Sequence, residues 1–268
     1  MNFLNLFLIL GVTSITVPSL TADNWPAFRG PNLQGISQES GFPLHWSAEE
    51  NVAWKVAIPG EGWSSPIVWE DQVFITTATD GGTVCHVLAL DRLTGSMLWD
   101  REVFQQEPGH KQTRNSYATP TPCTDGERVY AVFGDGSFVA LDFSGNTVWT
   151  NRDFPFYGEH GLGTSPILWK DLLIMTRDGS GRPPNNGDGW HTPWDQARIL
   201  ALDKRNGALR WEAQRGMSRI AHVVPNVWTR GDGKAVLVSG AGDVVQGFDL
   251  ETGQRLWTSW NEGEGVVP

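Results

Sequence analysis

The chain has 268 residues, with 31 Gly, 16 Pro and only 19% charged side chains, a balance that suits a turn-rich all-β protein with one large core. Its formal net charge of −10 argues against nucleic acid or an anionic membrane surface as partner, since both require a positive face. Two cysteines, Cys85 and Cys123, allow either one disulfide in an exported protein or two buried, inert thiols.

In chain order, residues 1–22 read as a secretory signal cleaved after about Ala22, because the apolar run Leu6 to Val12 is too short to span a bilayer. An uncleaved anchor is the alternative, since the segment before that run has no Lys or Arg and Leu20 is not small. No transmembrane span is expected in the mature chain. Residues 23–50 lack periodicity and are dotted with Pro and Gly, so they are expected to form an irregular strap anchored by Trp25, Phe28 and Trp46. Val52 to Pro59 then reads as an outermost strand without a hairpin of its own.

From there the chain repeats itself. The run ALDRLTGSMLW, ending at Trp99, returns as ALDFSGNTVW, ALDKRNGALRW and GFDLETGQRLW. Each copy sets a small residue (Ala89, Ala140, Ala201, Gly247) two places before an aspartate (Asp91, Asp142, Asp203, Asp249). A glycine follows (Gly95, Gly145, Gly207, Gly253), and a tryptophan stands four places after it (Trp99, Trp149, Trp211, Trp257). The aspartate can accept a backbone hydrogen bond in an Asx turn, and the glycine supplies the positive φ that closes a hairpin. The small residue is expected where neighbouring sheets converge, with the indole filling the gap further out. Each unit opens on a second recurring stretch, such as WSSPIVWEDQVFI from Trp63 and GTSPILWKDLLIM from Gly163. Proline is tolerated at the first residue of a strand, so these are the first two strands of each unit. The third unit carries an insertion, Arg177 to Ala197, whose Pro, Gly and Asn content predicts a loop. Self-similarity at about 40–50 residues is the mark of a propeller or solenoid of four-stranded blades.

These runs resemble the PQQ-type repeat family of β-propellers, whose Trp-docking motif is Ala-x-Asp-x-x-x-Gly-x-x-x-Trp. The resemblance runs from about Asn51 to the C-terminus, and NWPAFRGP (Asn24 to Pro31) is similar to the start of a secreted subgroup of undefined role. It implies an all-β propeller, residues 51–268, with four blades and an extra N-terminal strand visible. Val266-Val267-Pro268 aligns with Ser64-Ser65-Pro66, so a fragment of a ring of about seven or eight blades is expected. Closure by a solenoid or by a second chain is the alternative. No cysteine stands near the signal junction, a departure from the related lipoprotein propeller of the outer-membrane barrel-assembly machine.

The innermost strands of a propeller start where its central funnel opens. Trp63, His110, Arg114, Asn115, Tyr117, His160 and His222 precede those strands and form the candidate ligand site, with donors from several blades. They can equally be loop residues that satisfy turns and water. Asp188, Trp190 and His191 of the insertion are placed to shield the funnel if the loop lies on that face. A quinoprotein dehydrogenase of the family would carry two adjacent bridged cysteines and a calcium held by Glu, Asn and Asp oxygens. Here Cys85 and Cys123 are far apart in sequence, no acidic cluster has calcium spacing, and no phosphate-loop, haem-attachment or hydrolase motif occurs. No catalytic residue or metal ligand is assigned. The expectation is a secreted or periplasmic, non-catalytic binding or scaffolding module without cofactor, engaging a protein, peptide or glycan. The alternative is a PQQ- and calcium-dependent dehydrogenase whose site lies partly beyond residue 268.

Overall fold

A computed structural model describes residues 23–262; the expected signal segment and the Val266–Pro268 alignment lie outside them. Sixteen strands form four antiparallel four-stranded sheets, each a simple meander in chain order. The first blade contains β1 (Ile67–Trp69), β2 (Gln72–Thr79), β3 (Val84–Asp91) and β4 (Met97–Gln105); the second contains β5 (Cys123–Thr124), β6 (Arg128–Val132), β7 (Phe138–Asp142) and β8 (Thr147–Asn151). The third contains β9 (Ile167–Trp169), β10 (Leu172–Arg177), β11 (Arg198–Asp203) and β12 (Leu209–Gln214); the fourth contains β13 (Asn226–Thr229), β14 (Ala235–Gly240), β15 (Val244–Asp249) and β16 (Arg255–Trp260). This is an all-β propeller of four-stranded blades. No helix among the described residues is long and apolar enough to cross a membrane.

The repeated aspartates make the expected turns. Asp91, Asp142, Asp203 and Asp249 each accept the N–H of the residue two places on, at 3.0, 2.9, 2.9 and 3.0 Å. The glycines that follow have φ of 71°, 80°, 74° and 73°. The tryptophans that follow the turns tie one blade to the next. Trp99 Nε1 donates to the carbonyl of Phe143, Trp149 to Lys204 and Trp211 to Leu250, at 2.9, 2.9 and 3.0 Å. Each ring lies flat against the turn glycine of that following blade, so a Cβ built on Gly145, Gly207 or Gly253 would sit 2.9, 2.5 or 2.6 Å from ring carbons. The glycine therefore both closes its own turn and receives a neighbour's indole.

The small residue lies where neighbouring sheets converge, with Ala89, Ala140 and Ala201 each in the junction with the next blade, and the ladder adds a second contact. Ala89, Ala140, Ala201 and Gly247 pair across the ladder with the tryptophan of their own blade, and a register shift follows each pair. The small side chain leaves room for the indole within the sheet, and the bulge adds local twist. Apolar clusters fill the junctions between blades. Phe74, Val87 and Ala89 meet Val129, Phe133 and Leu141; Tyr130, Phe138 and Trp149 meet Leu173, Met175 and Leu202; Ile174 and Trp211 meet Leu237 and Phe248. The central strands are buried on both faces, which accounts for their nearly unbroken apolar sequences. Cys85 and Cys123 are free, lie in separate junctions and are buried, and burial pushes both thiols well above their usual pKa.

Two expectations are corrected. Val52 to Pro59 pairs with no strand among the described residues; Trp54 instead donates to Arg92 O at 2.9 Å and covers Gly95, completing the first turn from outside any sheet. In the strap, Trp25 and Phe28 are part-buried, but Trp46 is 69% exposed. The anchoring falls to residues 24–33, which reach the first strand of every blade. Trp25 bridges Val68, Pro26 O accepts from Thr124, Leu33 packs near Leu168, and Leu33 O accepts from Asn226.

Candidate functional site

Because all four first strands begin at one end of the propeller, the segments leading into them converge there. A chain of hydroxyl contacts sets their spacing. Thr121 Oγ1 accepts the N–H of Ser65, and Ser165 Oγ accepts the N–H of Thr121, both at 2.9 Å. These are the residues before the recurring prolines of three successive blades. In the fourth blade the equivalent residue, Val224, has no hydroxyl to continue the series.

Above this seam opens a cavity of about 710 Å³, lined by Trp63, Arg114, Asn115, His160 and His222 together with Phe28, Gln112, Thr121, Ser165 and Trp190. Five of the seven sequence-predicted residues thus share one space. Asn115 is a strut: its Nδ2 donates to His160 O at 2.7 Å, and its Oδ1 accepts from the N–H of Ser116 and from the Thr119 hydroxyl. Gly163 has no Cβ to obstruct His222, which approaches the built position to 2.9 Å. Trp190, from the insertion, meets the His160 ring edge-on at 4.2 Å, and His222 lies 5.9 Å from His160 on another side. Burial, followed by the proximity of His160, lowers the His222 pKa to about 4, and burial also lowers that of His160. Both imidazoles are therefore neutral at neutral pH. Trp63 is 57% exposed at the rim. Among the described residues no carboxylate lines the space, and Arg114 is the only permanent charge there.

His110 and Tyr117 lie elsewhere. Tyr117 turns its ring over Gly82 and donates its hydroxyl to Gly109 O at 2.8 Å, with Lys111 Nζ 5.0 Å from the ring centre. His110 pairs with Glu159 at 3.4 Å. Both residues line a separate polar cleft of about 370 Å³. Of the insertion residues, Trp190 covers the funnel, His191 lies beside it with ring centres 5.6 Å apart, and Asp188 accepts from the Thr192 hydroxyl away from the lining. Thr121 and Ser165 carry a sequence signal in the proline that follows each, but that proline marks the start of a strand and not a place in the lining. Phe28 carried no such signal, because it belongs to the aperiodic strap.

The family described as outer membrane protein assembly factor BamB matches residues 44–152 and 162–267. The assembly factor BamB of Shewanella oneidensis is 23% identical over 218 residues, 66% of this chain and 49% of that protein. The chain therefore spans about half the length of the curated relative it matches. Among solved structures, quinohemoprotein alcohol dehydrogenase ADHIIG from Pseudomonas putida HK5 superposes with a TM-score of 0.50 at 13% identity, covering 79% of this chain and 35% of the enzyme. BamB from Moraxella catarrhalis gives 0.44 at 18% identity, over 81% of this chain and 70% of the other. At these identities the likeness concerns the fold alone.

Proposed function

Because the chain belongs to the PQQ-type repeat family described as outer membrane protein assembly factor BamB, we propose that it is a periplasmic or secreted binding module. Its partner is an extended segment of another protein, held at the funnel without chemistry being done on it. The observation that carries this reading is the lining itself: two indoles, Trp63 and Trp190, stand over amides and hydroxyls, with no carboxylate among the described residues that line it. Indoles bury large area at little entropic cost, while amides and hydroxyls match peptide N–H and C=O groups. The name of the relatives, an outer membrane assembly factor, points to a protein as the object bound. The same lining supports a site without a calcium-bound quinone. Calcium takes about six to eight oxygen ligands, mostly carboxylate, and the distant Cys85 and Cys123 offer no adjacent pair.

The test is a titration followed by tryptophan emission, for which 14 Trp give a strong signal. Arrayed peptides from outer-membrane and periplasmic proteins should include binders that Trp63→Ala weakens at least about tenfold, the loss expected for a buried aromatic contact. Melting should be unaffected, since the side chain is largely exposed. Saturable quenching by one equivalent of PQQ with calcium, or peptide binding indifferent to Trp63, would overturn the proposal.

A further inference from the structure

A third cavity, of about 500 Å³, lies between the second and third blades, outside the funnel lining and sharing Phe156 and Tyr157 with the polar cleft. One wall is the run Phe154, Pro155, Phe156 and Tyr157 after β8, and the opposite wall includes Trp194 from the insertion. Arg177, the last residue of β10, also lines it. This arginine is 7% exposed and Nη1 has no hydrogen-bond partner. Its guanidinium stacks 5.6 Å above the Phe156 ring and lies against Gly136, where a Cβ would come within 2.4 Å of Nη2.

The nearby carboxylates are already engaged. Asp135 pairs with Arg152 at 3.1 Å, and Glu212 pairs with Arg198 at 2.9 Å. Neither bonds Arg177. Asp135 and Glu212 act on Arg177 only through space; a buried guanidinium without a direct hydrogen-bonded counter-ion is costly, and here it borders open space. Trp194 Nε1 is a second buried donor without a partner at this cavity's wall.

We infer that this cavity is a binding site for a carboxylate carried on an apolar group, with Arg177 as the anchor and the aromatic wall holding the apolar part. A carboxylate offers the two acceptor oxygens that the guanidinium fork fits, and such charge-assisted pairs are the strong ones. The rim mixes both signs, with Asp153 and Glu212 facing Arg182 and Arg198, which disfavours ligands of high net charge and leaves room for one carboxylate. A peptide ending in an apolar residue and a peptide with an acidic side chain beside one both present this chemistry.

The experiment titrates the full chain with N-acetyl-phenylalanine, with its uncharged amide, and with amide-capped acetyl-Phe-Glu, followed by calorimetry. The free acid should bind at least about tenfold more tightly than the amide, as expected for hydrogen bonds to charged groups. Tight binding of the capped Phe-Glu peptide assigns the natural carboxylate to a side chain, and its failure assigns it to a chain terminus. Arg177→Met should erase the preference of acid over amide. Equal binding of acid and amide by the unaltered protein would overturn the inference without any variant, as would an unchanged preference in Arg177→Met.

Discussion

Gly207→Ala probes the junction between the second and third blades. Gly207 has φ of 74°, and a methyl group there would lie 2.5 Å from Trp149 Cε3, about 1.0–1.5 Å inside the roughly 3.5–4.0 Å at which carbons rest. The left-handed backbone costs an alanine about 1–2 kcal/mol. Gly233, with φ of 81° and nothing within 4 Å of its built Cβ, bears that backbone cost alone. At Gly207 the indole must also move. Overpacking of this kind costs about 1–3 kcal/mol, and loss of the 2.9 Å bond from Trp149 to Lys204 O adds about 1 kcal/mol. Gly207→Ala should therefore be less stable than Gly233→Ala by about 2–4 kcal/mol, or some 5–10 °C in Tm. Urea unfolding read by far-UV circular dichroism avoids the disturbed indole as reporter. In a Trp149→Leu background the difference should shrink, because there is less ring to displace. Equal losses for the two alanines, within about 0.5 kcal/mol, would refute the reasoning and leave Gly207 as an ordinary turn residue.

Two further outcomes concern buried ionisable groups. Arg215 and Asp178, 0% and 1% exposed, pair at 2.6 Å where the third blade meets the fourth, with Ser239 and Gln246 completing the guanidinium's bonds. Asp178→Ala should cost about 3–5 kcal/mol in urea unfolding because it strands Arg215, and Asp178→Leu with Arg215→Met should recover most of that loss; a cost no smaller in the double variant would argue against the stranded charge as the cause. His222 has a pKa lowered from 6.5 to about 4 in the folded protein, so below pH 6.5 the unfolded chain binds a proton that the folded one refuses. Stability contributed by the neutral ring is fully present above pH 6.5 and is lost as pH falls toward 4, by about 3 kcal/mol in all. His222→Asn should flatten that part of the stability profile, and an unchanged profile would show that the ring is not the group being titrated.

The repeat was legible because its constraints are local. An Asx turn needs its aspartate and glycine a few residues apart, and four copies make the spacing visible. The blade order followed directly. What remained hidden depends on contacts between distant segments. That Ala89 also pairs with Trp99 across a ladder follows from a register no single strand displays. His110 and Tyr117 precede an innermost strand as His160 does, yet Tyr117 is drawn to the space over Gly82 and His110 to Glu159, and neither partner could be read from the repeat. Val52 to Pro59 has the composition of a strand, but it is held by its tryptophan, by Ile58 against Val73 and Leu88, and by Pro59 O, which accepts from Thr77, rather than by a ladder. The unpaired Arg177 and the Arg215–Asp178 pair left no trace in any pattern, since each is defined by what lies opposite in space. Phe28, in the aperiodic strap, is the same case at the funnel.

The tryptophan junctions also impose an order on how the chain matures. Each indole is synthesised before its acceptor, with the receiving carbonyl 38, 44, 55 and 39 residues later for Trp54, Trp99, Trp149 and Trp211. From Trp99 onward, a growing chain therefore carries a finished blade whose indole has no seat until the following turn has been translated. At every pause between turns one apolar ring faces solvent, so a translation stall just before Gly207, after the longest interval, prolongs the exposure of Trp149 and is where aggregation or chaperone capture would concentrate.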